Sequence, residues 1–168
     1  STAPLAANLD YALNEELANI QTAVDALAKL TDGGVHVGIG GANESVTPFK
    51  KLQNVTFHTF EGKHPAGNVG VQIHHVSPVQ KGEIVWTVSA VMLAAIGKLF
   101  NTGKYDVRRK IAVTGPKAIN PAYVEGVPGI AIKDVKEFFD ASENLRYVSG
   151  DVLTGTNVGA EGFLGFAD

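Results

Sequence analysis

EGKHPAGNVGVQIHHVSPVQKGEIVWTVSAVMLAAIGKLF, residues 61–100, is the stretch on which the reading of this chain turns. It opens with a polar loop carrying Lys63, His64, Pro65, Gly67 and Gly70. It continues through Gln72-Ile73-His74-His75 and breaks again at Ser77-Pro78. The apolar run Ile84-Val85-Trp86-Thr87-Val88 predicts a strand, because β-branched and aromatic side chains suit a pleated surface. Val91 to Phe100 predicts a helix that stops at Asn101-Thr102-Gly103. Three of the five histidines and the only tryptophan fall in this stretch. A polar loop held over a packed support is a common arrangement for a binding site.

Working outward, Asn8 or Asp10 is a cap for a helix whose apolar residues fall at Leu13, Leu17, Ile20, Val24, Leu27 and Leu30. Glu15 and Glu16 sit near its positive end and Lys29 near its negative end, as the helix dipole prefers. Asp32-Gly33-Gly34 stops it. Val35 to Ile39 then predicts a short alternating strand, Pro48 to Leu52 a helical turn, and Val55 to Phe60 a second strand. Gly38-Ile39-Gly40-Gly41 lacks the glycine spacing and the strand-then-helix order of a dinucleotide loop, and reads as a plain turn. With the strand at Trp86 and the helix to Phe100, these elements predict an α/β unit of two or three layers.

From Arg108 the texture changes. Lys110 to Thr114 predicts a strand, Gly115-Pro116 a turn, and Ala122 to Glu125 the returning strand. Ile132 to Asp140 predicts a helix with Val135, Phe138 and Phe139 on its apolar side. Leu145 to Val148 predicts a third strand, 150–159 a glycine-rich loop, and Gly162-Phe163-Leu164 a fourth. Strand–strand–helix–strand in such a short span is a β-grasp pattern. The boundary falls at Tyr105 to Val107, giving an α/β portion over 1–106 and a β-grasp module over 107–168.

Composition narrows the function. Hydrophobic residues are 45% and charged residues 18%, a globular rather than a disordered profile. A net charge of −3 with no Lys/Arg cluster argues against a nucleic-acid surface, and Arg108-Arg109-Lys110 reads as a solvated strand end. The absence of cysteine removes disulfides, thiolate zinc, iron–sulfur ligation and a thiol nucleophile together. No apolar run approaches the roughly 20 residues of a membrane span, and the opening does not read as a signal peptide. Both ends read as cut from a longer protein.

Few residues carry chemistry. His58, His64, His74 and His75 have no ligand spacing, and adjacent His74 and His75 would face opposite sides of a strand, so no metal site is expected. His36, on an apolar strand, reads as a structural histidine. No serine sits in a G-x-S-x-G elbow, and no catalytic residue is assigned. What remains is the polar loop Lys63-His64-Pro65-Ala66-Gly67. Its glycines let backbone approach a ligand, Lys63 can meet an anion, and His64 or His74 can hydrogen-bond a carbonyl. Lys63, His64, Gly67, Gly70 and His74 are the candidate substrate-binding residues. The alternative reading, in which the same loop merely shapes a turn over His74, stays open.

The stretches HPAGNVGVQIHHVSPV, VW and AIGKLFNTGKY resemble the NqrA subunits of the sodium-translocating NADH:quinone reductases, bacterial respiratory complexes. TAPLAANLD, VTGPKAINPAYVEGVPG and LRYVSGDVLTGTN are similar to the same family, so the resemblance covers nearly the whole chain. It implies a Rossmann-like α/β portion related to the flavin subunit of complex I, followed by a soluble-ligand-binding β-grasp module. It also implies an internal fragment that is soluble, peripheral to the cytoplasmic face of the inner membrane, and a scaffold near quinone. Its partners would be the other subunits of the complex, above all the quinone-side membrane subunit. Flavins, an iron–sulfur centre and quinone would be held in or between those subunits, with no cofactor bound by this chain and no turnover of NADH by it alone. A reading from a different class is a stand-alone small-ligand module of β-grasp type.

Overall fold

The computed structural model describes residues 3–140 and 144–165. They form two compact units. One spans Asn8–Asp106; the other comprises the chain from Val107 on together with Ala3–Ala7.

The first unit opens with two helices. Asn8 caps α1 (Leu9–Ala12), its Oδ1 accepting from the Tyr11 amide at 3.3 Å. Asp10 is not the cap: its Oδ1 accepts the buried Thr47 hydroxyl at 2.6 Å, tying α1 to the turn before residue 48. The single helix predicted behind Asn8 or Asp10, with its apolar stripe from Leu13 to Leu30, is interrupted. Asn14–Glu16 tightens into a 3-10 turn, and α2 (Leu17–Leu27) resumes beyond it. The stripe therefore divides. Leu13, Ile20 and Val24 are buried with Ala23 beside them, whereas Leu30, past the helix end, is 80% exposed. Along α2, the Gln21 carboxamide pairs with both backbone groups of Gln53, and Asn54 donates to Asp25, which fixes the approach to the second strand.

Two strands follow α2. β1 (His36–Gly40) and β2 (Thr56–Phe60) pair in parallel from His36↔Thr56 to Gly40↔Phe60. The crossover between them carries 3-10 turns at Gly41–Asn43 and Pro48–Lys51. His74 and His75, read as neighbours on a strand, lie with Gln72 and Ile73 in a helix instead, α3 (Val69–Val76). Ile84 to Val88 is not a strand either: the segment is exposed and unpaired among the described residues. The last helix, α4 (Ala90–Thr102), begins where the Ser89 hydroxyl accepts from the Met92 amide. It ends at Gly103, whose left-handed φ of 69° suits glycine and whose amide returns to the Leu99 carbonyl. α4 packs against α2 along Ala94, Gly97 and Asn101, which share one helix face. A β-carbon on Gly97 would overlap the Asn19 carbonyl of α2, so the backbones meet directly there. Asn101 bridges Asn19 and Thr22, and the Lys98 ammonium lies 2.8 Å from Glu16 along the same seam.

The second unit begins with the antiparallel pair β3 (Arg109–Val113) and β4 (Ala122–Gly126). The predicted helix from Ile132 is a run of 3-10 turns, Ile132–Phe138, with Ile132 buried. β5 (Val148–Ser149) pairs with β6 (Thr156–Asn157), so the partner of the third strand lies inside the glycine-rich loop rather than at Gly162–Leu164. That last segment pairs with Ala131 and Ile130 through an isolated bridge. Its core gathers Val113, Ala131, Ile132, Tyr147 and Ser149, with Phe139 edge-on to Tyr147 at 5.5 Å. Among the described residues the architecture is mixed α/β with three two-stranded sheets.

Candidate functional site

Because β1 and β2 are parallel, their carboxyl ends lie side by side and release the chain in the same direction. In parallel α/β units ligands bind beyond that edge. β1 hands over at Gly40 to Gly41, and β2 hands over at Phe60 to the loop 61–68. Gly38-Ile39-Gly40-Gly41 thus ends a strand in one 3-10 turn, with no phosphate-binding helix behind it. Glu61 crosses the end of β1. Any side chain at position 41 would run into its carboxylate.

The loop closes on itself through short bonds. The Ala66 amide donates to the Lys63 carbonyl at 3.0 Å and the Asn68 amide to the Pro65 carbonyl at 2.8 Å; the His64–Pro65 peptide is cis. Asn68 precedes α3, and its carbonyl accepts the Gln72 amide. Gln72 then reaches back: its Nε2 donates to the Ala66 carbonyl at 3.3 Å, and its carboxamide fills the space that a side chain at Gly38 would take. One side chain joins helix, loop and strand.

The sequence-predicted residues distribute as follows. Lys63 is exposed on the loop, His64 and Gly67 are half-buried within it, and Gly70 and His74 are exposed on α3. Gly70 and His74, four residues apart, share one face of that helix. His74 and His75 therefore diverge around a helix rather than across a strand, their rings edge-on at 5.6 Å. Sequence reading did not give Gln72, Glu61 or Gly41 a role. The available signal was a polar residue in the half-buried face of α3, between Val71 and Ile73.

Elsewhere on the pair, His36 and His58 stack at 5.1 Å with His36 Nδ1 2.8 Å from His58 Nε2. His36 Nε2 lies 3.2 Å from the Gly33 carbonyl, which can only accept, so His36 carries its proton there and Nδ1 accepts from His58. The pair is satisfied by hydrogen bonds on an exposed strand face. Among the described residues no three His, Asp or Glu side chains converge as metal ligands. At the crossover, the hydrogen bond from Lys50 holds the Glu44 carboxyl below the usual carboxylate range, with the Thr59 hydroxyl adding to it.

Replacing Gln72 by Ala is expected to cost about 1–2 kcal/mol, the scale for losing a part-buried hydrogen bond and its packing. Amide exchange in 63–70 should rise in that variant. Unchanged exchange would mean that the loop holds without its tie to α3.

Residues 1–105 match the family model described as NqrA second alpha/beta domain, and residues 110–160 match that of the NQRA C-terminal domain. Over 165 residues the chain is 41% identical to the NqrA subunit of the Na(+)-translocating NADH-quinone reductase of Serratia proteamaculans, covering 96% of the chain and 36% of that protein. Identity to the corresponding protein of Vibrio parahaemolyticus is 35%, covering 98% of the chain and 36% of that protein. For Rhodopirellula baltica it is 36%, covering 92% and 34%. The chain spans about a third of the length of the curated relatives it matches. Among the described residues no helix is long and apolar enough to cross a membrane.

Proposed function

The chain belongs to the family of NqrA subunits of the Na(+)-translocating NADH-quinone reductases, and we propose that it serves such a complex as a peripheral scaffold with a quinone-adjacent loop. In this reading the first unit is the Rossmann-like portion and the second the β-grasp module. They sit at the cytoplasmic face against the other subunits, chiefly the quinone-side membrane subunit. Redox cofactors belong to those subunits, and the chain alone does not oxidise NADH.

The observation that carries the ligand part is the placement of the loop. Lys63, His64 and Gly67 stand just past the carboxyl edge of a parallel strand pair, pinned by Gln72 to α3, where Gly70 and His74 present a second surface. Such a surface offers a cation, imidazole nitrogens and, at Gly70, open space beside the backbone. A quinone needs hydrogen-bond donors at its carbonyl oxygens, and these groups supply them.

The test is titration of the isotope-labelled chain with a short-chain ubiquinone analogue, read by amide chemical shifts. Shifts are expected to cluster at Lys63, His64, Gly67, Gly70 and His74. His64→Ala should then weaken binding roughly tenfold, the scale of one hydrogen bond to a ligand carbonyl. Saturating ligand with no shifts in 63–75 would reduce the loop to structural support.

A further inference from the structure

We propose that Ile84–Val88 is a β-strand whose sheet lies in the part of the full-length protein outside this chain. The run has strand composition: two valines, an isoleucine, a threonine and the only tryptophan. It lies outside every helix and strand of the described residues and pairs with none of them. Among the described residues the backbone of 84–88 makes no hydrogen bond, and between residues 78 and 88 the only backbone pairing is the local turn from the Glu83 amide to the Gln80 carbonyl. The side chains are as unsatisfied as the peptide groups. Trp86 is 88% exposed and Ile84 79%, with Val85 and Val88 also exposed, so as a strand the segment would present uncovered apolar side chains on both faces.

A strand apolar on both faces belongs inside a covered sheet, not at a solvated edge. Addition to an existing sheet edge pairs its amides and carbonyls and covers its side chains in one step. A lipid surface fits poorly. The flanks carry one lysine, Lys81, and one glutamate, Glu83, so no basic excess draws the segment to anionic headgroups, and apolar lipid would leave its peptide groups unpaired. The relatives are nearly three times longer than this chain, which covers 36% of them. A sheet edge in that remaining length is covalently linked and so present at high effective concentration, whereas a second copy or a separate protein must be recruited. The occupant is therefore a sheet edge of the same polypeptide. The inference rests on the family membership, but not on the quinone loop.

Trp86 reports on it directly. Acrylamide quenching of its fluorescence and hydrogen exchange of amides 84–88 are to be compared between the 168-residue chain and the full-length protein with its other tryptophans replaced by Phe. In the short chain, quenching should approach that of free tryptophan. In the full-length protein it should fall several-fold, and the amides should slow by about tenfold or more, as for paired backbone. Val88→Pro, which removes a donor, should restore fast exchange in the full-length protein while leaving the melting of the short chain unchanged. Equal quenching and equal exchange in the two proteins would overturn the proposal. So would burial of Trp86 that rises with concentration of the short chain alone, that needs phosphatidylglycerol vesicles, or that needs the other subunits. A failed quinone titration leaves these outcomes untouched, and the reverse also holds.

Discussion

Gly97→Ala is expected to destabilise the chain by about 3 kcal/mol or more, in the upper range for overpacking a buried contact. Intrinsic propensity predicts the opposite sign, since alanine is favoured over glycine by about 1 kcal/mol inside a helix. The packing decides. Gly97 is buried in α4, and a methyl group there meets the carbonyl of Asn19 in α2, a backbone atom that cannot swing aside as a side-chain end would. To make room, α4 must move off α2, loosening Ala94, the Asn101 bridge to Asn19 and Thr22, and the Lys98–Glu16 pair. Urea unfolding followed by circular dichroism measures the loss. A variant as stable as the parent, or more stable, would mean that the two helices do not meet at Gly97.

Ile20→Ala should cost about 3–4 kcal/mol, whereas Leu30→Ala should change stability by less than about 0.5 kcal/mol. Both residues fall on the same predicted stripe, and a helix continuous to residue 30 would make them comparable. Ile20 is 1% exposed, next to Val24 at 0%, so truncation removes contacts and leaves a cavity that rigid helix backbones cannot fill. Leu30 lies three residues beyond the last helical position and is 80% exposed. The pair of variants, measured by the same urea titration, isolates the position of the helix end. Equal losses at both sites would return Leu30 to the core.

Much of the local structure was legible in the residues. Asn8 acts as a side-chain cap, Gly103 closes α4, and β1, β2, β3 and β4 lie within a residue or so of where alternation and turn residues put them. The exposed loop and its glycines were equally plain, because Pro65, Gly67 and Gly70 punctuate any backbone. Less visible was what supports that loop. Gln72 reads as one more polar residue beside two histidines, and only the nearness of Gly38 and the Ala66 carbonyl gives it a place. The histidines show the same limit. His36 and His58 are 22 residues apart, and their contact exists because parallel pairing sets Gly38 opposite His58.

The sequence by itself determined the family, the mixed α/β class, and the caps and breaks that depend on neighbours within a turn or two. The tertiary structure alone decided that the first helix is interrupted at Asn14–Glu16, that Gln72 to His75 are helical, that 148–149 pairs with 156–157, and that Ile84–Val88 has no partner among the described residues. The physical reason is common to all four. A cap or a periodic stripe is satisfied by groups a few residues away, so its signal is local. A strand is complete only when another segment supplies hydrogen bonds along its edge, and a helix end is set by which side chains find cover. Those partners lie far along the chain, and for Ile84–Val88 no described residue of this chain supplies one.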